Sequence, residues 1–570
     1  MFNSKKTTLF DSQSNANEKT SVTNTFVSSG LKESAKTRSG NNALKYSTTG
    51  NDFVDQFGIL GSFKVPRDYK DIERDMSVLW ASNSEDAVKF TLYIRMISRT
   101  TQLFDGTKTE AVQRGAGLRH EGIMRMMWLY INHPDAFWNN LNLFISVGSW
   151  KDIIQMMSYD LVYNGWDKRV LDWEKLSSVI IAGLENPNTS ELVKKYLPQI
   201  KSTRHADKMT VEAQADVLIG KYLANKIFNE KKAYEKYRKL KSSGTAHEWQ
   251  QLISKGKMLA INFDTVHGRA LSLLVSSKFI ENNNLESKYE IWIESKPIAK
   301  FTGYPHELFT KYIDTRGWGS STLRNMKSYE IKTLNKQFDG LVETAKKGAT
   351  EGTSLIVVRD TSGSMGSLVD GTNMSCGDIA KALALFFAEM LPNGKFANSW
   401  IEFNSDAKMH QWKGLTVYEK WNNDKASFVG NTNFQSVVNL FAKVKKQGVD
   451  ESEFPTGILC ISDSEFDQTQ LDNTNVEASL ETLRSAGFSE DYVNNFQIVL
   501  WNLQSNYYGS DTGKKFETHG DVKNVFYFSG YDGSVIAFLT GVEHQESKPQ
   551  TAEELFKAAM DQEILNFVQI

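Results

Sequence analysis

The chain has 570 residues, of which 40% are hydrophobic and 24% are charged. This length exceeds one ordinary core, so we expect two or three domains, and the composition is typical of a globular protein. No apolar run is long enough to span a membrane, and no signal-peptide core stands at the start, so we expect a cytoplasmic protein without a membrane partner. Cys376 and Cys460 are too few for a disulfide framework, and we predict reduced thiols in the core.

The net charge of -2 conceals an uneven distribution of charge along the chain. Residues 351–570 contain 16 Lys and Arg against 30 Asp and Glu, whereas residues 1–350 contain 50 against 38. The basic part and the acidic part suggest two different functions, one of which is contact with a polyanion.

Residues 1–50 are rich in Ser, Thr, Asn and Lys, and their sparse apolar residues show no period. Such a segment buries too little apolar surface to offset its ordering entropy, so we predict a disordered tail. Residues 51–348 show apolar residues at helical spacing instead, as at Ile123, Met126 and Met127. Short breaks with Gly, Pro or Asn separate these stretches, which predicts a domain of helix pairs resembling HEAT repeats.

Short apolar runs alternate with helical stretches in residues 349–570. The runs are 355–358, 400–403, 457–461, 497–501 and 525–528. Repeated strand–helix order predicts a mostly parallel, doubly wound sheet covered on both faces, a Rossmann-like α/β domain. A final helix opening at Thr551 should pack on that sheet through one apolar face, formed by Phe556, Met560, Ile564 and Phe567. The predicted fold class is therefore α plus α/β.

Three loops of this second domain carry small side chains with oxygen atoms. Asp360, Ser362 and Ser364 follow the first apolar run, Thr432 precedes a predicted helix, and Asp463 follows the run at 457–461. Ligands of doubly wound sheets bind beyond the carboxyl ends of the strands, so we expect these loops to meet. Their oxygens suit Mg²⁺, and other divalent cations would be accepted in its place. The alternative, that the two Ser only cap the following helix, leaves Thr432 and Asp463 unexplained.

The Asp-Thr-Ser-Gly-Ser sequence at residues 360–364, with Thr432 and Asp463 in the same order, resembles the metal-ion-dependent adhesion site (MIDAS) of von Willebrand factor A domains. The resemblance implies that the hydroxyls of Ser362, Ser364 and Thr432 contact Mg²⁺. It implies that both Asp act directly or through water, and that a carboxylate of an acidic protein partner completes the octahedron.

Three motifs of the helical region resemble the TROVE module, which is named for telomerase, Ro and vault proteins. They are Arg114-Gly115-Ala116-Gly117-Leu118-Arg119, Asn132-His133-Pro134-Asp135 and Gly148-Ser149-Trp150-Lys151-Asp152. With the sequences at 431–435 and 462–467, the chain is similar, over roughly 80–530, to an uncharacterised TROVE-like family of plants and large viruses. In Ro-type ribonucleoproteins the helical domain forms an RNA-binding ring that the A domain closes. The resemblance implies RNA binding by the helical domain of this chain, and the sequence does not say whether its helices close into a ring.

Residues 191–257 carry a net charge of +8, centred on a basic run at 231–241. Cations beside phosphates and Tyr rings stacked on unpaired bases are typical of RNA binding. The candidate RNA-binding residues are Lys231, Lys232, Lys236, Arg238, Lys239, Lys241, Tyr234, Tyr237, Arg114 and Arg119. The alternative is a solvated helix face whose Tyr residues pack inward.

We expect no enzymatic activity, because the sequence lacks a phosphate-binding Gly-x-x-x-x-Gly-Lys loop, a Gly-x-Ser-x-Gly elbow and a His cluster. The enzyme alternative is a metal-dependent hydrolase. The predicted function is binding of RNA or another polyanion by the helical domain and Mg²⁺-dependent adhesion to a protein by the A domain. One alternative is a phage or viral structural or assembly protein that uses the A domain for protein contacts only, located in the host cytoplasm or the virion. Another is an adaptor to an ATP-driven remodelling machine.

Overall fold

The structure is a computed structural model. It describes residues 49–61, 63, 66–97, 100–103, 108–110, 115–201, 209–244, 247–266, 268–301, 303–314, 321–348, 354–369, 372–391, 394–424, 426, 433–463, 475–503, 523–530, 539 and 551–570, with two strands before residue 49. These residues belong to two compact units. The first comprises Pro66–His247 and Ala559–Ile570, and the second comprises Val27–Val65 and Glu248–Ala558.

The first elements of the chain are two strands and a short helix. Strands β1 (Lys32–Lys36) and β2 (Asn42–Tyr46) pair antiparallel, which differs from the predicted disordered tail. Backbone pairing does not require a periodic pattern of apolar residues, so the composition did not indicate these strands. The rest of residues 1–48 lies outside the described residues. Helix α1 (Asp52–Gly58) begins at Asn51, whose side chain accepts hydrogen bonds from two following amides.

The first unit is helical, as the apolar spacing predicts. Its helices are α2 (Tyr69–Ser82), α3 (Ser84–Arg95), α4 (Arg119–Asn132), α5 (Pro134–Val147), α6 (Trp150–Asn164), α7 (Trp173–Glu185), α8 (Ser190–Tyr196), α9 (Val211–Phe228) and α10 (Ala233–Ser242). A short antiparallel pair, β3 (Thr100–Gln102) and β4 (Lys108–Glu110), lies between α3 and α4 in the chain. Neighbouring helices pack together, and Ile123, Met126 and Met127 of α4 are fully buried.

Six α-helices lie between residue 248 and the sheet in the described part of the second unit. They are α11 (Glu248–Ser254), α12 (Arg269–Ser276), α13 (Phe279–Asn282), α14 (Glu286–Glu294), α15 (Pro305–Phe309) and α16 (Ser328–Gly348). Leu334, Phe338 and Val342 recur at helical spacing along α16 and join the same core cluster as Leu355 of the first sheet strand. Helix α16 packs on α14, on α15 and on the later helix Val417–Asn423, and the predicted domain boundary at residues 348/349 falls inside the second unit.

The second unit contains a sheet with six described strands. They are β5 (Leu355–Asp360), β6 (Ser399–Phe403), β7 (Ala407–Gln411), β8 (Gly457–Ser462), β9 (Gln497–Asn502) and β10 (Val525–Ser529). Their order is β10-β9-β8-β5-β6-β7, and every neighbouring pair is parallel except β6 with β7. The five predicted strands are confirmed, and β7 was not predicted from its sequence.

Helices surround this sheet along the remaining chain. They are α17 (Cys376–Ala388), α18 (Val417–Asn423), α19 (Gln435–Lys446), α20 (Asn475–Ser485), α21 (Glu490–Asn495) and α22 (Ala552–Met560). Leu355 and Val357 of β5 share a core with α17, so the alternate residues Ile356 and Val358 face the opposite side. The α plus α/β fold class is confirmed. Cys376 and Cys460 are both buried, as predicted.

The predicted apolar face of the last helix is not formed. Helix α22 ends at Met560, and a 3-10 helix follows at Glu563–Phe567. Phe556 is buried beside the rings of Phe53 and Phe57, whereas Phe567 is 46% exposed. The change of helix type rotates the later side chains away from the line that a continuous α-helix would give. Within the ranges described, no helix has the length and apolar character needed to cross a bilayer.

Candidate metal site

The predicted carboxylates lie at the ends of neighbouring central strands. Asp360 is the last residue of β5, and Asp463 directly follows the last residue of β8. Arg359 is level with Ile461 in the parallel register, which brings these two strand ends side by side. Chain order runs outward from β5 through β6 and β7 on one side and from β8 through β9 and β10 on the other. This is the switch point of a doubly wound sheet, where ligands bind.

The Asp360 carboxylate is fully buried and hydrogen-bonded at both oxygens. Its Oδ1 accepts from the backbone N–H of Ser362 at 2.7 Å, and its Oδ2 accepts from the hydroxyl of Ser462. Burial raises the pKa of Asp360 to about 7, and the negative charge of Asp463 contributes to the rise, while the Ser hydrogen bonds oppose it. The sequence alone did not indicate a role for Ser462, which precedes Asp463. In the structure its hydroxyl orients the Asp360 carboxylate.

The two predicted Ser ligands stand together beside Asp360. Their hydroxyl oxygens, Ser362 Oγ and Ser364 Oγ, are 3.0 Å apart. Ser362 occupies the N-cap position of the 3-10 helix Gly363–Gly366, but its side chain makes no capping hydrogen bond. The alternative that these hydroxyls serve only as helix caps is therefore not supported by the geometry of Ser362.

Asn433, the last residue of the second predicted loop, reaches the neighbouring strand end, and Thr432 lies outside the described residues. The backbone N–H of Asn433 donates to the carbonyl oxygen of Asn404, just after β6, at 2.8 Å. The Asn404 side chain in turn donates to the hydroxyl of Thr361 at 3.2 Å. Asn433, which follows Thr432, is thus connected through Asn404 to Thr361, which follows Asp360.

The donor atoms assembled at this edge of the sheet fit a hard divalent cation. Two carboxylates and two hydroxyls are described, all of them oxygen donors, which is the donor type that Mg²⁺ prefers. Two buried carboxylates repel each other, and a cation between them would remove that repulsion. In the described part of the chain, no group of three or more His, Cys, Asp and Glu side chains could hold a metal ion. The site at Asp360 differs from such a group, because two of its four described donors are serine hydroxyls.

A buried cluster of charges adjoins the site and was not predicted. Arg359 Nη1 lies 2.9 Å from Asp424 Oδ2, and Lys381 Nζ lies 3.4 Å from the same oxygen. All three side chains are at most 2% exposed. Burial lowers the pKa of Lys381 to about 8, although Asp424 opposes that fall. Asp424 follows α18, so this cluster fixes the chain shortly before the segment that carries Thr432. The sequence did contain one indication of this cluster, because Arg359 is a charged residue within the apolar run of β5.

The basic run at 231–241 covers most of α10 and the two residues before it. Tyr237 is fully buried, and its hydroxyl donates to the carbonyl of Pro198 at 3.0 Å. Its prediction as a stacking residue is therefore wrong, because the ring packs inside the unit. Lys236 pairs with Glu230, and Lys239 pairs with Glu235 at 3.1 Å.

Two further cations of this run bind backbone carbonyls. Arg238 donates to Ile200 at 3.4 Å, and Lys241 donates to Lys195 and Leu197. Lys231 and Lys232 are exposed, as are Lys236, Arg238 and Lys239, and Tyr234, close to them in the chain, is 39% exposed. The structure thus supports the alternative in which Tyr237 packs inward. Lys231, Lys232 and Tyr234 form an exposed basic edge of the unit.

The motifs that resemble the TROVE module hold helices together in the first unit. Asp152 of α6 is fully buried and accepts hydrogen bonds from Arg95 at 2.8 and 3.0 Å, and from the backbone of Ser149 at 2.9 Å. Arg119 lies 3.0 Å from the same carboxylate, so this candidate RNA ligand has a structural partner. A Cβ atom on Gly115 would lie 2.0 Å from the carbonyl oxygen of Tyr93. Arg114 lies outside the described residues.

Residues 354–566 match a family model described as a domain of unknown function, DUF7788. The match begins one residue before β5 and includes all five predicted metal ligands. The curated proteins contain no match to this chain.

Proposed function

We propose that the second unit binds Mg²⁺ through Asp360, Ser362, Ser364 and Asp463, with Thr432 as a further ligand, and thereby binds an acidic group of a protein partner. The observation that carries this proposal is the pair of buried carboxylates at the adjacent ends of β5 and β8. The resemblance to von Willebrand A domains and the position at the switch point support it.

Each residue has a separate part in this proposal. Asp360 supplies negative charge and is oriented by the N–H of Ser362 and the hydroxyl of Ser462. Ser362 and Ser364 supply neutral oxygens 3.0 Å apart, and Asp463 supplies the second charge. A bound Mg²⁺ would offer an open coordination position to an incoming carboxylate. Because most donors are neutral, the cation would keep enough positive charge to attract that carboxylate.

The proposal concerns binding and not catalysis. A phage or viral assembly role, in which the same site only joins proteins, remains its alternative, as does a remodelling adaptor. Both alternatives use the cation site in the same way and differ in the partner.

Isothermal titration calorimetry with Mg²⁺ tests the cation site directly. We expect saturable binding to the wild-type protein and its loss in a variant with Ser362→Ala and Ser364→Ala. Ser254→Ala changes an exposed serine of α11 in the same unit and should bind as the wild type does. Equal Mg²⁺ binding by the double variant and the wild type would refute the assignment of these ligands.

We also propose that the first unit contacts RNA or another polyanion through its exposed basic edge. The observation in favour is the exposure of Lys231, Lys232 and Tyr234, which places two charges and an accessible ring near each other in the chain. Cations supply affinity for phosphates, and an exposed Tyr ring stacks on unpaired bases. The TROVE resemblance supports the same proposal.

Fluorescence anisotropy with a labelled oligouridine tests this contact at two salt concentrations. We expect affinity to fall steeply as salt rises, and to be lost when Lys231 and Lys232 are both changed to Glu. Lys346→Glu with Lys347→Glu makes the same change in an exposed pair at the end of α16 and serves as the control. Binding that is absent at low salt, or reduced equally by both charge reversals, would contradict the proposal.

A further inference from the structure

A cavity of about 620 Å³ lies in the second unit. Its walls come from α12, from the segment around α15, and from residues 372–373, which follow Ser362 and Ser364 in the chain. Binding sites for small molecules have volumes of roughly 300 to 1,000 Å³, so this cavity has the size of one. None of the predicted metal ligands lines it.

The charges at the cavity do not cancel. Arg269 Nη2 donates to both carboxylate oxygens of Glu307, at 2.8 and 2.7 Å, so these two side chains neutralise each other. Lys311 is a second cation in the wall, and within the described ranges it forms no ion pair. Burial lowers the pKa of Lys311, Glu307 raises it, and Arg269 lowers it further. A bound anion would offset the repulsion between the two cations.

Neutral side chains complete the cavity with two kinds of surface. Phe301 and Leu273 supply apolar wall, and Leu273 is 53% exposed. The amide of Asn373 is exposed and makes no hydrogen bond to another described residue. Thr310 and Thr372 also line the cavity, but their hydroxyls already donate to neighbouring groups.

From these contacts we infer that the cavity binds a small organic anion, with its carboxylate or phosphate group at Lys311 and its apolar body against Leu273 and Phe301. The Asn373 amide donates to the same anionic group. Arg269 does not supply the free charge, because Glu307 occupies it. It holds the wall in place and neutralises the Glu307 carboxylate, so the charge of Lys311 is left for the anion.

Calorimetric titration of the full chain with phenyl phosphate, benzoate and benzamide tests this inference. At least one of the two anions should bind with a dissociation constant of about 1 mM, as ligands of this size do. Benzamide, which has the same ring without the charge, should bind at least about tenfold more weakly. Comparing the two anions distinguishes a phosphate site from a carboxylate site, and inorganic phosphate shows whether the apolar body contributes.

Variants at the exposed apolar wall keep the test independent of folding. Leu273→Asp places a negative charge beside the anion and should bind it at least about tenfold more weakly than Leu273→Asn, which has the same shape as Asp, lacks the charge and loses the same apolar contact. Lys311→Met should also lose binding, and Lys413→Met, at an exposed lysine outside the cavity, should not. No binding of either anion at roughly 10 mM, or equal affinities of the Asp and Asn variants, would overturn the inference.

Discussion

Replacing Asp360 by Asn should stabilise the metal-free protein at pH 8. The amide has the shape of the carboxylate without its charge. Its oxygen still accepts from the N–H of Ser362, and its NH₂ group can donate to Ser462, whose hydroxyl then turns to accept. The substitution therefore removes the buried charge and keeps both contacts.

The magnitude follows from the pKa of the buried carboxyl group. The pKa of Asp360 is about 7 in the folded protein, against an ordinary value of 3.8. The folded state therefore holds its proton more tightly than the unfolded state, and stability falls as the pH rises from about 4 to about 7. A pKa difference of about 3 corresponds to about 4 kcal/mol, which is the upper limit for the gain of the Asn variant at pH 8. Near pH 4 the gain should vanish.

Urea denaturation at pH 5 and pH 8, followed by tryptophan fluorescence, measures this effect, because Trp421 and Trp501 lie in the core of the second unit. With EDTA, the Asn variant should unfold at higher urea than the wild type, and the difference should be larger at pH 8. Excess Mg²⁺ should narrow that difference, since it should stabilise the wild type by about 2.7 kcal/mol at one hundred times its dissociation constant. The variant lacks the ligand charge and should gain less.

Asp450→Asn is a suitable control, because Asp450 is exposed and hydrogen bonds from Ser452 lower its pKa. The same chemical change there should not stabilise the protein at pH 8. Equal destabilisation of the metal-free protein by Asp360→Asn at both pH values would contradict the expected cost of the buried charge. An equal gain from Mg²⁺ in the variant and the wild type would refute the cation site separately.

Three further predictions concern pH, the buried charges and helix packing. Mg²⁺ affinity measured by calorimetry should fall by up to about tenfold per pH unit below pH 7, because the proton of Asp360 competes with the cation; a flat profile from pH 5 to pH 8 would contradict this. Asp424→Ala should destabilise the second unit by about 3 to 5 kcal/mol in urea denaturation, because it leaves Arg359 and Lys381 buried without their carboxylate. A loss no larger than that of Asp450→Ala would show that the cluster is not needed. Gly115→Ala should lower the stability of the first unit by about 1 to 3 kcal/mol, because the new Cβ atom would lie 2.0 Å from the carbonyl of Tyr93; an unchanged thermal transition by circular dichroism would refute the close packing.

The central strands could be predicted from sequence because they are buried on both faces. All six residues of β5 and all six of β8 are buried, so each strand is a continuous apolar run with few polar interruptions. Strand β7 is different. It lies at the sheet edge, and only Ala407 among its five residues is buried. It therefore has no apolar run that would mark it as a strand.

The position of a helix face is also decided by tertiary contacts. The charges of the run at 231–241 were evident in the sequence, but not that Tyr237 would point into the unit and Tyr234 toward solvent. The apolar spacing in residues 51–348 predicted helices, but spacing does not say which core a helix such as α16 joins. Periodicity records which residues share a face and carries no information about the neighbour of that face.

The sequence by itself determined the α plus α/β class, the central strands and the order of the three oxygen-rich loops. Those features depend on local burial and on the order of the chain. Only the tertiary structure brought Asp360 beside Asp463, because residues about one hundred positions apart meet through the register of β5 and β8. The same register places Ser462 on the Asp360 carboxylate and the Arg359–Asp424 pair next to the site. Burial at that junction, which raises the pKa of Asp360, is a property of the packed sheet and not of the motif.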